Sequence, residues 1–432
     1  VSERLAVRSS RVLVEGEVQP ATVVIEGGLI ADVTTDSPPT ALDDLGDLVL
    51  MPGLIDTHVH VNEPGRTEWE GFATATAAAA AGGVSAIIDM PLNSIPPTTT
   101  PSALEAKRAA ADGKCAVDVG FWGGIVPGNL SEVAPLADRG VFGYKAFLVD
   151  SGVPEFPSID LGDLEASLEA AAGVGLPLLV HAEAPGPIAA APAAGDDYAS
   201  YLASRPAAAE VEAIEALIGA LRRAGGRAHV LHLSAADALP MIAAARAEGL
   251  AITVETCPHY LCLTAEEIDD DAYVFKCAPP IRETANRELL WQGVLDGTVD
   301  MIVSDHSPCP GDLKQGGFAA AWGGIASLEL RLPAVWTEAR SRGADLAQLA
   351  EWLCAAPARL AGIDSGVIEP GKRADLVAWD PDATFVVDAA GLHQRHKASP
   401  YDGAKLSGIV HRTYVRGVRA GARPVGRLLE RS

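Results

Sequence analysis

Short apolar runs, each closed by polar or Gly/Pro residues, recur along the chain between alanine-rich stretches of helical character. The runs are GLID (53–56), VSAIIDM (84–90), AVDVGFW (116–122), VFGYKAFL (141–148), LPLLVHA (176–182), AHVLHLS (228–234), AITVET (251–256) and DMIVSD (300–305). They lack a strict apolar/polar alternation, as expected for parallel strands covered on both faces. Between them lie segments such as EWEGFATATAAAAAGG, LGDLEASLEAAAGVG and AAAEVEAIEALIGALRRAGG. Eight strand–helix units predict an α/β chain folded as a (β/α)8 barrel of TIM type.

The two ends read differently. RVLVEGEV and TVVIEGGLIADV near the start, and GVIEPGKRADLVAWDP and SGIVHRTYVRGVRAGARPVG near the finish, alternate in the manner of exposed strands with tight turns. Each end alone offers too few strands for stability. The expectation is a small β-sandwich domain assembled from residues 1–50 and 362–432 beside a catalytic barrel over 51–361. The longest loop-like tract, HSPCPGDLKQGGFAAAWGG (306–324), follows the eighth strand directly and is a candidate active-site loop.

Composition narrows the partner. A 432-residue chain that is 48% apolar buries a large core. A formal charge of −24 argues against nucleic acid and anionic membrane surfaces, both of which need clustered Lys and Arg. A small neutral substrate suits it better. No stretch has the ~20 apolar residues of a membrane span, and the start lacks a signal-peptide pattern. The six cysteines form no C-x-x-C pair. Reduced thiols and a cytoplasmic location are expected.

His58 and His60, at i and i+2 on a strand, project to the same side and suit one metal ion. His181, His232 and Asp305 end the fifth, sixth and eighth predicted strands, the barrel rim where active sites lie. Lys145 sits inside an apolar strand, where an ammonium is costly unless paired, neutral or modified. Taken singly, a strand histidine is commonly a hydrogen-bonded core residue, an Asp after a strand a helix cap and a lysine a snorkelling surface group. Those separate explanations do not account for six such residues meeting on one rim. His229 points to the opposite strand face and reads as structural, while His259 and His306 are candidates to line the site. His393, His396 and His411 read as surface or interdomain residues. Cys277 reads as a structural thiol.

In order, PGLIDTHVH, GYKAFL, HAE, HLS, ETCPHYL, APPIR, SDHSP and GVIEPGKRADLVAWD resemble the amidohydrolase superfamily, and within it the cyclic amidohydrolases: dihydroorotases, hydantoinases and allantoinases. The resemblance covers nearly the whole chain. It implies a binuclear metal centre, usually Zn2+, with His58, His60 and Asp305 on one ion and His181 and His232 on the other. It also implies that Lys145 bridges them as an Nζ-carboxylate, that Asp305 carries a proton from the attacking water to the departing nitrogen, and that subunits form a homotetramer.

Within that group, dihydroorotases resemble D-x-H-x-H-x-R, whereas this chain has the neutral Asn62 at the arginine position. Hydantoinases and dihydropyrimidinases carry a Tyr shortly after the modified Lys, and KAFLVDSGVPEF has none. HVNEPGRTEWEGF and DMPLNSIPPTT resemble the allantoinases. That resemblance implies hydrolysis of a neutral hydantoin ring with a ureido arm. Asn62 and Asn93 are then expected to meet the substrate, with main-chain groups at Cys277–Ala278 and Trp322–Gly323 holding the ring imide. The alternatives are a hydantoinase or dihydropyrimidinase for other cyclic amides, or a non-enzymatic relative, against which the filled ligand set argues.

Overall fold

A computed structural model describes residues 4–36, 41–421 and 423–431. The predicted barrel is present. Parallel strands Leu54–Val59, Val84–Asp89 and Asp118–Phe121 form one ladder. After a break at Trp122 the third strand resumes as Gly123–Gly124. It then pairs with Tyr144–Phe147, followed by Leu178–His181, Ala228–Val230, Ile252–Thr256 and Met301–Ile302. A parallel bridge between Val59 and His306, with the His60 amide donating to the His306 carbonyl at 2.8 Å, closes the last strand on the first.

Nearly every strand residue is buried, because helices such as Phe72–Ala81, Pro101–Ala111, Leu164–Gly173 and Ala207–Ala224 cover the outer face. The helix Pro101–Ala111 shows the local logic. Thr100 accepts from the Ala103 amide as N-cap, and Pro101 occupies the first turn, where its missing N–H costs nothing.

Several strands pair over shorter stretches than the apolar runs suggested. The sixth and eighth stop at Val230 and Ile302 because the chain leaves β conformation soon after, His232 having φ 36° and Asp305 φ 43°. The rim residues therefore leave the ladder and turn inward.

The chain ends do pair with each other. Arg4–Val14, Glu17–Glu26, Leu29–Thr34, Ala41–Asp44 and Val49–Pro52 join Leu376–Val386, Lys405–Val415 and Val418–Arg419 in one hydrogen-bonded set. Val49–Pro52 pairs antiparallel with Leu376–Trp379 at the junction of the two ends. Tight hairpins at Glu15–Gly16 and Arg416–Gly417 place both central residues at positive φ, the geometry that matches strand twist. A small apolar core including Val7, Val23, Leu50, Ile368 and Leu376 holds the sheet together.

The seam of the barrel is polar. Asp56, on the first strand, accepts from the Ser304 amide just past the end of the eighth at 3.1 Å and from the His58 amide at 3.1 Å. The fully buried Arg331 lies 3.2 Å from Asp56 and donates to the Ile55 carbonyl at 2.9 Å. Removing the cation leaves a buried, uncompensated carboxylate. Arg331→Met is expected to destabilise the protein by about 3–5 kcal/mol, read as a lowered denaturation midpoint at unchanged m-value.

Candidate active site

The site is built where strands one, four, five, six and eight end. His58 closes the first strand; its Nδ1 lies 2.5 Å from Glu255 Oε1, so Nε2 faces Lys145 Nζ at 3.3 Å and Asp305 Oδ1 at 3.1 Å. His60 Nε2 is 3.5 Å from the same Asp305 oxygen, while its Nδ1 is 3.4 Å from Asn93 Nδ2. His181 stacks on Phe147 with ring centroids 4.5 Å apart and directs Nε2 to Glu183 at 2.7 Å, which leaves Nδ1 for another partner. Its ring meets that of His232 at 4.6 Å, edge to face. Ligand atoms of His58, His232 and Asp305 all lie within 4.8 Å of one another.

Burial governs the charge states. It drives His60 down to about 3 and holds His181 and His232 below the usual imidazole range, so these rings are neutral near pH 7, the ligating form. Burial lowers the Lys145 amine to about 8, against the pull of Asp305 and Glu255. Burial alone would raise the Asp305 carboxyl, but His58, His60 and His232 outweigh it and keep the group well below the usual carboxylate range. The result is neutral nitrogens, one carboxylate and one reactive amine, all 8% exposed or less. His232 Nδ1 is buried without a hydrogen-bond partner among the described residues. That donor set suits one or two metal ions.

A cavity of about 630 Å³ opens over this floor, lined by His60, Asn93, Lys145, His181, His232 and Asp305. Cys277, Ala278, Trp322 and Gly323 form part of its wall. Asn62 departs from expectation. It stands behind the wall, with Nδ2 donating to the Pro308 carbonyl at 3.3 Å, because a left-handed turn at φ 66° carries its side chain toward the 306–324 loop. His306 is also outside the cavity, its Nδ1 facing the Ser327 amide at 3.3 Å and its Nε2 facing Glu70 at 3.4 Å. His259 is fully buried near Asp305 and Cys257 but does not line the cavity. Burial pushes the Cys277 thiol up to about 12, in keeping with a structural role.

The outer His393 lies 3.0 Å from Glu329, and His396 donates to the Glu68 carbonyl at 2.7 Å, tying the C-terminal region to the first-strand loop. His411 is exposed on its strand. His229 faces Thr253 at 2.8 Å and Glu255 at 3.0 Å.

Sequence reasoning overlooked the residues that orient the ligands. Glu255 contacts both His58 and His229 and accepts from the His232 amide at 3.2 Å. Its available signal was an acid ending an apolar strand, AITVET. Glu183 is gripped by Arg205 through Nε at 3.0 Å and Nη2 at 2.5 Å, a two-pronged contact that neutralises a cation lining the cavity. Such partners fix ligand orientation and tautomer. Glu255→Gln is expected to weaken metal retention by about 10–100-fold, measured as ion content after dialysis against graded chelator.

The amidohydrolase family profile matches residues 49–420. An allantoinase from Streptomyces avermitilis is 54% identical over 99% of this chain and 98% of its own length. An allantoinase from Arabidopsis thaliana is 42% identical, covering 95% of this chain and 87% of its own. Among solved structures, the L-hydantoinase (dihydropyrimidinase) from Arthrobacter aurescens superposes with a TM-score of 0.93 at 32% identity, covering 100% of both chains. The chain belongs to the amidohydrolase family, and within that family its sequence is of allantoinase type.

Proposed function

We propose that this protein hydrolyses the ring amide of allantoin to give allantoate. The observation that carries the reading is the convergence of His60, His181, His232, Asp305 and Lys145 on the floor of one cavity, with the buried His58 against Asp305 and Lys145 beneath it, in a chain 54% identical to an allantoinase over nearly its full length.

In this reading His58, His60 and Asp305 hold one divalent ion, His181 and His232 a second, and Lys145 serves both. Bound there, Zn2+ or a similar ion supplies Lewis acidity, raising the nucleophilicity of water and polarising the ring carbonyl. Lys145 fits a modified state. Its buried amine, lowered to about 8, has a neutral fraction near pH 7 whose lone pair can attack CO2, lose a proton and become an anionic Nζ-carboxylate. That change would convert a costly buried cation into an anion beside four histidines. Asp305, ionised and at the cavity floor, takes the proton from the attacking water and delivers it to the ring nitrogen, so that an amine leaves rather than an amide anion.

The wall suits a neutral ring. Of the cations lining it, Arg205 is neutralised by Glu183, and Lys276 is engaged with the Ala319 and Ala321 carbonyls. Asn93 offers an amide, and the main chain at Cys277–Ala278 and Trp322–Gly323 offers donors and acceptors to the imide. Tyr201 also lines the cavity, but its hydroxyl donates to the Cys277 carbonyl at 2.6 Å. Asn62 contributes at second hand, by bracing the Pro308 turn without adding the cation that a ring carboxylate would require.

The likeness to a hydantoinase structure supports one rival, a hydantoinase acting on other cyclic amides. No helix among the described residues is long and apolar enough to cross a membrane, and all six cysteines are free. The reading takes the protein as a cytoplasmic homotetramer, to be checked by fractionation and light scattering.

Metal-loaded protein is expected to carry two ions per chain, to open allantoin, and to be inactive or very poor with dihydroorotate, whose carboxylate would be desolvated without a partner. Elemental analysis and a panel of allantoin, hydantoin, dihydrouracil and dihydroorotate decide this. Comparable kcat/KM for allantoin and dihydroorotate would overturn the assignment, and activity confined to hydantoins with apolar substituents would favour the rival.

Asp305→Asn is expected to lower kcat by about 10²–10⁴-fold, because an amide cannot accept the proton. Near wild-type turnover with both ions bound would place the proton transfer elsewhere.

A further inference from the structure

Two lysines beside the cavity have no carboxylate within ion-pair distance among the described residues. Lys276, 9% exposed, lines the wall; its Nζ donates to the Ala321 carbonyl at 2.5 Å and the Ala319 carbonyl at 3.3 Å, and faces the Tyr201 ring at 5.0 Å. Lys314 donates to the Gly324 carbonyl at 2.6 Å and to the Lys276 carbonyl at 3.2 Å. Burial lowers both amines to about 8, and for Lys276 the neighbouring Lys314 charge adds to the effect. Two like charges are thus held close together in a partly dehydrated place at a cost. Their return is local. The segment 309–324 contains one short 3-10 turn, Gly311–Leu313, and no strand, so its carbonyls lack regular partners.

The contacts are reciprocal. Lys276 belongs to the 276–278 strip and reaches carbonyls of the loop. Lys314 belongs to the loop and reaches a carbonyl of the strip. The Gly324 amide also donates to the Lys276 carbonyl at 2.8 Å. A Cβ built on Gly323 would stand 3.9 Å from the Cys277–Ala278 backbone, so the two main-chain edges run side by side.

We propose that Lys276 and Lys314 are positioning residues, a reciprocal ammonium–carbonyl clasp that holds the 309–324 segment against the 276–278 strip and so sets affinity for the substrate ring rather than the rate of its opening. The role in affinity rests on the proposed function, in which these edges hold the ring imide. The clasp itself does not. A lysine suits the task because its ammonium can donate to several carbonyls without bringing a carboxylate near the metal-ligating histidines.

The test uses the full, metal-loaded protein with Lys314→Met, Lys314→Gln and Lys314→Arg. In substrate-free protein, amide hydrogen exchange across 319–324 should be at least about tenfold faster in the Met and Gln variants and close to wild type in the Arg variant. KM for allantoin should rise about tenfold in Lys314→Met, with kcat within about threefold, ion content unchanged and at least half of the loss recovered by Arg. Unchanged exchange in both neutral variants would overturn the clasp. Faster exchange with unchanged KM would overturn its role in affinity. If the wild type does not open allantoin, the proposed function fails, while exchange still decides the clasp and KM is read on whichever cyclic amide the panel identifies. Should Lys314→Met fail to fold, Lys314→Gln carries the same expectations.

Discussion

One carboxylate organises the metal-ligating end of this barrel. Glu255 receives the His58 ring, the His229 ring and the His232 amide, with no exposure to solvent. Burial by itself would raise the pKa of this carboxyl, but His58 and His229 outweigh it and keep the group well below its usual range, so it remains an anion in the interior. That anion selects which nitrogen of His58 is protonated and therefore which one faces Asp305 and Lys145. It also anchors the chain at His232, where the backbone leaves the strand. Without it, the His58 ring would have no fixed reason to present Nε2 to Asp305 and Lys145.

The rest of the rim follows from the same constraint. A ladder of parallel strands buries and pairs its backbone, but side chains that must converge cannot all do so from regular β geometry. Asn62, Asn93, His232 and Asp305 all take positive φ, a costly choice for residues other than glycine. Their hydrogen-bonded surroundings hold them there. The Asp56–Arg331 seam then ensures that the first and eighth strands, whose ends supply His58, His60 and Asp305, keep a fixed register relative to each other.

Fold and specificity come from different parts of the molecule. The backbone superposes on a hydantoinase with a TM-score of 0.93, although the chain shares far more of its sequence with allantoinases. The barrel is common to both, whereas the cavity is lined largely by loops after the first, second, fourth, fifth, seventh and eighth strands. In the loop after the fourth strand, Asp150, Ser151 and Gly152 line the cavity with no tyrosine among them. Such changes alter recognition while leaving the core alone.

By itself the sequence determined the eight apolar runs, the β-rich ends and the six polar residues at strand ends. Those signals are local: hydrophobic period, turn residues and spacing along one strand. Through family resemblance it also pointed to Cys277, Ala278, Trp322 and Gly323, which line the cavity. Only the tertiary structure decided that Asn62 turns behind the wall and that His306 faces Glu70, because one left-handed turn or one side-chain direction redirects a group that sequence position leaves open. Only it could join Glu255 to His58, Glu183 to Arg205 and Lys314 to the Lys276 carbonyl. These partners lie on different elements, and nothing in a linear pattern encodes which buried polar groups will meet once the strands close into a ring.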